Sequence, residues 1–251
     1  MSILNKIFKR NVLTINENGN QIELIEKGNE KIITYNKIVY SRIKINNILV
    51  NGYWDYFLPL PNFFKSRNKV NILLIGLGAG TIPYQMLNLY NNVRITALDT
   101  SNAMIEITKK LIPSNILKKI RLNKIDGIDY INKNLKYFKN FYSLIILDAY
   151  IDDKIPEGFY KKDFIEKVHD FLTDDGLFTI NFVKTPSNDL NNMLIKLKEY
   201  FKVYLLDTGY LSGNIIIICS KNNVNIIESL EGLPDNIKQE TFPSYYRIVP
   251  K

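Results

Sequence analysis

Three glycines spaced two apart, Gly76, Gly78 and Gly80, follow the apolar run Val70-Asn71-Ile72-Leu73-Leu74-Ile75, and aspartates stand at the ends of the next three such runs: Asp99, Asp126 and Asp148. Glycine accepts backbone angles closed to other residues and leaves no Cβ between the chain and a ligand. A strand that enters such a turn and leaves as a helix turns its free N–H groups towards the same space. That is a pocket for a nucleoside. Asp99 is placed to accept both hydroxyls of a ribose, Asp126 with the Gly127 backbone to meet the edge of the base, and Asp148 to stand at the reacting end. One acid at a strand end is commonly a helix cap or a turn residue. Three on successive strands read as a set facing one ligand.

The glycine spacing narrows the ligand. A dinucleotide fingerprint Gly-x-Gly-x-x-Gly beginning at Gly76 needs glycine at 81, where the chain has Thr81. Gly76-x-Gly78-x-Gly80 suits an S-adenosyl cofactor. The single histidine, His169, lies in the helical stretch 162–170 and reads as a surface or packing residue. With one histidine and one cysteine, Cys219, neither a His-based nucleophile system nor a multi-ligand metal site is expected, and the expected metal requirement is none.

Positioning such residues takes a parallel sheet. Strand-like runs at 70–75, 93–98, 120–124 and 142–147 alternate with helix-like segments near 80–90, 101–111, 127–136 and 160–172, which predicts helices on both faces. Asp174-Asp175-Gly176 reads as the close of the fourth helix, feeding a strand at 177–183 and a helix near 188–200. Strands near 202–207 and 214–219, joined by a short segment, suit an antiparallel pair at the end of the sheet. The expected fold is therefore α/β, a doubly wound Rossmann-like seven-stranded sheet. In such sheets ligands bind beyond the carboxyl ends of the strands. Before it, the alternating segment 21–50 breaks at Lys27-Gly28-Asn29 and Ile45-Asn46-Asn47 and reads as a small β-hairpin domain. Leu58-Pro59-Leu60-Pro61 marks the boundary, giving domains 1–60 and 61–251.

Composition sets the outer limits. The 251 residues are 46% hydrophobic and 23% charged, as in soluble globular proteins. No apolar run reaches the roughly 18 residues of a membrane helix, so no membrane association is expected. One cysteine suits a reducing compartment, and the expected location is cytoplasmic. Residues 1–10 have apolar side chains at helical spacing among cations but are too short and polar for a secretory signal, and read as a frayed or packed terminus. The net charge of +8 attracts nucleic acid nonspecifically, yet the cations are scattered along the sequence with no recognition motif, so nucleic acid is not an expected partner.

From about Gln21 to Lys221 the chain resembles the spermidine synthase (polyamine aminopropyltransferase) family, as a divergent member of the class I S-adenosylmethionine-dependent transferase superfamily, which implies that the sheet is of the class I methyltransferase type. Gly76-Leu77-Gly78-Ala79-Gly80-Thr81 occupies the place of that family's Gly-Gly-Gly-Asp-Gly-Gly, Asp99 that of its ribose acid, and Asp126-Gly127 that of its adenine-contacting pair. Tyr210-Leu211-Ser212-Gly213 with Cys219-Ser220-Lys221 is similar to its Tyr-Pro-Ser-Gly turn and following strand, and Tyr53-Trp54-Asp55 to its Tyr-His-Glu. The resemblance implies aminopropyl transfer from decarboxylated S-adenosylmethionine to a small polyamine, without metal, in a homodimer or larger homo-oligomer built partly through the N-terminal β unit. Asp148 would accept the proton of the attacking amine. Tyr53 would contact the substrate, Asp152 would make the entrance acidic, and Tyr210 would offer an aromatic wall or a hydroxyl to a cationic substrate. Ala79 stands where the family has the acid that meets the donor's amine, and Trp54 where it has a histidine. Tyr40 is near its cofactor-binding glutamine, and Ile151 replaces its second aspartate. With Ala79 in place, S-adenosylmethionine-dependent methyl transfer is the alternative, and a noncatalytic relative that keeps the pocket is the third reading.

Overall fold

The computed structural model describes residues 9–151, 154–185, 189–208, 213–245 and 249–250. Asp152 and Tyr210, the two entrance residues named above, lie outside the described residues, as does most of the segment 1–10.

The main sheet contains β5 (Val70–Ile75), β6 (Val93–Asp99), β7 (Ile120–Lys124), β8 (Tyr142–Leu147), β9 (Leu172–Val183), β10 (Lys202–Asp207) and β11 (Asn214–Ser220). Their order is β10-β11-β9-β8-β5-β6-β7, and the two-residue β12 (Val249–Pro250) pairs outside β10. Strands β7, β6, β5, β8 and β9 run parallel, while β11 is antiparallel to both β9 and β10. The expected doubly wound seven-stranded sheet is thus present, with the short β12 added at its edge. The order reverses at β5, between β6 and β8, and the glycine turn leaves the sheet at that point.

The central strands read as continuous apolar runs because both faces are covered. Ile72, Leu74, Leu144 and Ile146 pack on one side with helix α1 (Thr81–Leu89), the segment 49–64 and the C-terminal residues Ile226, Leu230 and Ile237. Leu73, Ile75, Ile145 and Leu147 pack on the other with α4 (Gly127–Asn134), α5 (Lys162–Phe171) and α6 (Leu190–Leu197). Helix α2 (Asn102–Leu111) and the short α3 (Ser114–Leu117) complete the β6-to-β7 crossover. The C-terminal helix α7 (Asp235–Tyr245) has no counterpart in the sequence reading.

The N-terminal sheet is a four-stranded antiparallel meander of β1 (Lys9–Glu17), β2 (Asn20–Lys27), β3 (Glu30–Tyr35) and β4 (Ile38–Lys44). It begins earlier than expected, since Asn18 and Gly19 both take positive φ and close a two-residue hairpin. Asn36 and Lys37 close another in the same way. Ile22, Leu24 and Ile33 of this sheet form an apolar cluster with Ala79, Ala103, Met104 and Ile107. One further expectation is corrected. Helix α5 ends at Phe171, and Asp174-Asp175-Gly176 lies within β9, where Leu172 pairs Tyr142 and the register jumps to Leu177 opposite Leu144. Arg67 holds Asp175 there by an ion pair, so the acids anchor a bulge rather than close a helix.

Candidate functional site

Asp148 follows the last residue of β8, and its backbone N–H donates to the carbonyl of Ile75 at 2.8 Å, which joins it to the foot of the glycine turn. Gly76 has φ +91°, and a Cβ there would overlap the Asp148 carbonyl group and lie 2.9 Å from Cα of Ala149. Only glycine lets the β5 and β8 loops meet so closely. Gly78, at φ +54°, lies under the Tyr40 carbonyl, and Gly80, at φ +92°, lies against Ile112 and Thr108. The Cβ position of each of the three glycines is thus occupied or closely approached by the chain itself. They serve to bring Asp148, β4 and α2 onto one turn.

The Asp148 carboxylate accepts hydrogen bonds from Tyr53 Oη at 3.1 and 3.2 Å and from Asn181 Nδ2 at 2.8 Å. Asn214 Nδ2 in turn donates to Asn181 Oδ1 at 2.7 Å. Burial penalises the charged form and raises the Asp148 pKa to about 7, although Asn181 and Tyr53 pull it down. The Tyr53 hydroxyl is pushed well above its ordinary value by burial and by Asp148, so it stays protonated and donates. Tyr150 joins the same region to β9, donating to the Asn181 carbonyl and accepting from the Val183 N–H at 3.1 Å.

Tyr53 is carried by a short 3-10 turn, Tyr53–Phe57, and its position is fixed from below by Asp55. That fully buried carboxylate accepts from the backbone N–H groups of Val50, Asn51 and Gly52, and from Gln85 of α1. The Tyr53 ring leans on Trp54 at 4.4 Å between centroids. Asp55 therefore ties the turn bearing Tyr53 to the helix that leaves the glycine loop.

On the other side of the turn, Asp99 ends β6. Its Oδ2 accepts from Leu77 N at 3.1 Å and its Oδ1 from Ser101 N at 2.8 Å. Burial raises its pKa to about 6 against the pull of these N–H groups. A half-buried carboxylate held by backbone donors, with no described cation paired to it, has acceptor capacity left for neutral hydroxyls and so fits a ribose. Asp126 is the N-cap of α4, its Oδ1 accepting from Ile128 N at 2.8 Å and Asp129 N at 3.2 Å. Gly127 is required by packing, since a Cβ there would overlap Ile75 and sit 3.1 Å from Phe159. Ala79 is fully buried in the apolar cluster between the N-terminal sheet and α2.

The structure thus brings Gly76, Asp148 and Tyr53 together and places Asp99 on the neighbouring strand beside Leu77. Asp126-Gly127 stands one strand further along. Sequence reading missed Asn181 and Asn214, at 1% and 5% exposure, and the signal was available: an amide within a strand of Ile and Phe must be paired when buried. It also missed Glu17, whose carboxylate accepts from Asn102 N at 2.9 Å and Ala103 N at 3.3 Å and docks the first hairpin on the start of α2. Ser41 and Thr81, 2.6 Å apart, join β4 to α1. His169 packs beside Tyr200 and Phe201. Among the described residues no group of three or more His, Cys, Asp or Glu is arranged to hold a metal, and no helix is long and apolar enough to cross a membrane.

Comparison with known proteins places this geometry in context. The family model for the spermine/spermidine synthase domain matches residues 52–228. The polyamine aminopropyltransferase of Thermoanaerobacter sp. (strain X514) is 26% identical over 166 residues, which are 64% of this chain and 57% of that protein. The mouse eEF1A lysine and N-terminal methyltransferase is 24% identical over 159 residues, 61% of this chain and 23% of that protein. The chain therefore spans about half of one relative and a quarter of the other. Among solved structures, a probable spermidine synthase from Corynebacterium glutamicum superposes with a TM-score of 0.73 at 17% identity, covering 92% of this chain and 94% of that one.

Proposed function

The chain belongs to the spermine/spermidine synthase domain family, and from that premise we propose that it is a transferase that uses an S-adenosyl cofactor to alkylate an amine, with decarboxylated S-adenosylmethionine as donor of an aminopropyl group and a small polyamine as acceptor. The observation that carries the reading is the Asp148 carboxylate at the switch point of the sheet, within 3.2 Å of Tyr53 Oη and 2.8 Å of Asn181 Nδ2, against the glycine turn. Asp99 holds the ribose and the glycine turn the rest of the nucleoside, with Asp126 and Gly127 towards the base. The sulfonium supplies a carbon whose leaving group is a neutral thioether.

An amine reaches this site as a cation. Asp148 attracts it, orients it by its fixed carboxylate plane, and takes the proton as the nitrogen forms its new bond to carbon and the carbon–sulfur electron pair goes to sulfur. Tyr53 and Asn181 hold the carboxylate in that orientation. By the family resemblance, Asp152 and Tyr210 are the residues assigned to the cationic tail of the substrate. A second reading, methyl transfer from intact S-adenosylmethionine, rests on Ala79, buried among apolar side chains where the resembling family has the acid that meets the aminopropyl donor's amine.

Titration calorimetry with decarboxylated S-adenosylmethionine, S-adenosylmethionine and methylthioadenosine tests the proposal. Tighter binding of the decarboxylated donor is expected. Preference for the intact donor selects methyl transfer, and binding of none of the three overturns both readings. Asp99→Ala is expected to weaken cofactor affinity by about tenfold or more through loss of charge-assisted hydrogen bonds.

A further inference from the structure

Five of the cations that look scattered along the sequence meet at the end of the sheet opposite the candidate site. Between Lys65 and Phe141 the chain carries thirteen Lys and Arg against four Asp and Glu, a surplus of nine in a molecule whose whole net charge is +8. Five of these, Lys69, Arg94, Lys118, Lys119 and Arg121, line one cavity of about 270 Å³ at the amino ends of β5, β6 and β7, and no acidic side chain lines it. The Phe141 ring, at the start of β8, is part of its wall. A second concavity, of about 430 Å³, follows across Lys139-Asn140-Phe141 and is lined by Lys133, Lys136 and Lys139 with one acid, Asp170.

The lining sets this surface apart, five cations with no acid among them. The five around the first cavity make no ion pair with any described residue, and four of them are exposed. Helix dipoles account for Lys109, Lys110 and Lys133, which lie in the last turns of α2 and α4. They do not account for Lys69, Arg94 and Arg121, which stand on strands or in the loop just before one, while Lys118 and Lys119 close the single-turn α3 ahead of β7. The Phe141 ring in the cavity wall packs on Phe138 and Tyr142 and keeps 37% exposure, which leaves part of it open to solvent beside these cations. A row of cations with no acid among them and a part-exposed ring beside it is a combination that holds a single strand of nucleic acid, phosphates on the charges and a base on the ring.

We propose that the amino-terminal end of the sheet binds single-stranded nucleic acid, its phosphodiester backbone crossing Lys69, Arg94, Lys118, Lys119 and Arg121 and a base stacking on Phe141. The surface is independent of the S-adenosyl site, which opens at the carboxyl ends of the same strands.

Fluorescence anisotropy of a labelled 20-nucleotide oligouridine, titrated with the full chain from 50 to 300 mM KCl, tests the proposal. Binding should weaken linearly in log–log form with salt. Arg94→Glu with Arg121→Glu should weaken it about tenfold or more and lower the salt slope by about two. Phe141→Ala should weaken it by about fivefold or more. Lys27→Glu with Lys37→Glu, an equal charge change on the N-terminal sheet, should leave affinity within about twofold, as expected for cations outside the footprint. Thermal melting checks that each variant is folded, and Lys118→Ala with Lys119→Ala, in the turn before β7, replaces the arginine pair if that variant is not. No salt-dependent binding at 50 mM KCl overturns the proposal, as does equal weakening by the N-terminal control. Equal affinity for a duplex with no effect of Phe141→Ala removes the single-strand assignment. Tighter binding to phosphatidylserine vesicles, lost in the same arginine variant, assigns the surface to a membrane instead.

Discussion

A carboxylate with a pKa of about 7 is divided between its two forms at neutral pH, and that bears directly on what Asp148 can do. The ionised form accepts a proton from an amine, so the rate of a turnover that depends on it should rise with pH and level off above about 7. Asp148→Asn should lower turnover by about 100-fold or more while leaving cofactor affinity unchanged, a split read from single-turnover rates beside calorimetry. Tyr53 and Asn181 stabilise the charged form, so removing either donor must raise the Asp148 pKa further. Tyr53→Phe and Asn181→Leu are therefore expected to move the rising limb to higher pH, and a limb that stays in place would show that these groups do not act on the carboxylate. Asp148 was legible in the sequence because an acid at the tip of an apolar strand is conspicuous. Its partners were not, because Asn181 and Asn214 meet only through the register of β9 with β11, and Tyr53 approaches from 95 residues away.

The elements were legible where their chemistry is local. Seven strands and five crossover or flanking helices followed from apolar runs and their punctuation, and the Asn18-Gly19 turn would have located β1 had the same rule been applied there. Helix α7 escaped because only its tertiary contacts, such as Ile237 in the core beneath β10, distinguish it from a polar tail. Asp174-Asp175-Gly176 misled for a related reason: a turn signature says that the chain bends, not which element owns the bend. The glycine loop carries the sharpest prediction at this scale. Since Gly76 combines a φ of +91° with a Cβ position occupied by the Asp148 carbonyl, Gly76→Ala should cost about 3 kcal/mol or more. In a chain of this size that is roughly 6–12 °C of melting temperature. Gly19→Ala, strained by a φ of +80° but with nothing within 4 Å, should cost visibly less, and equal losses would mean that φ alone, not the approach of β8, makes position 76 glycine.

Over the whole molecule the sheet carries buried carboxylates at the carboxyl ends of its strands and a cation-lined cavity at the amino ends, and those carboxylates make stability depend on pH in an unusual direction. Asp148 and Asp99 hold their protons to about 7 and 6, and Asp55 is also raised, all chiefly by burial. In the unfolded chain each ionises near pH 4. Between about 4 and 7 the native state therefore binds more protons than the unfolded state, and stability must fall as pH rises through that window. The penalty is absent below the unfolded value and complete above the folded ones. His169, lowered by burial and by Lys221, contributes with the opposite sign, so the informative measurement is a difference between two proteins that share it. The melting temperature of the wild type is expected to drop between pH 5 and pH 8 by more than that of Asp148→Asn, which cannot ionise at this position. A parallel pair of curves would show that Asp148 titrates alike in both states, and with it would go the physical reason for assigning this carboxylate the role of proton acceptor.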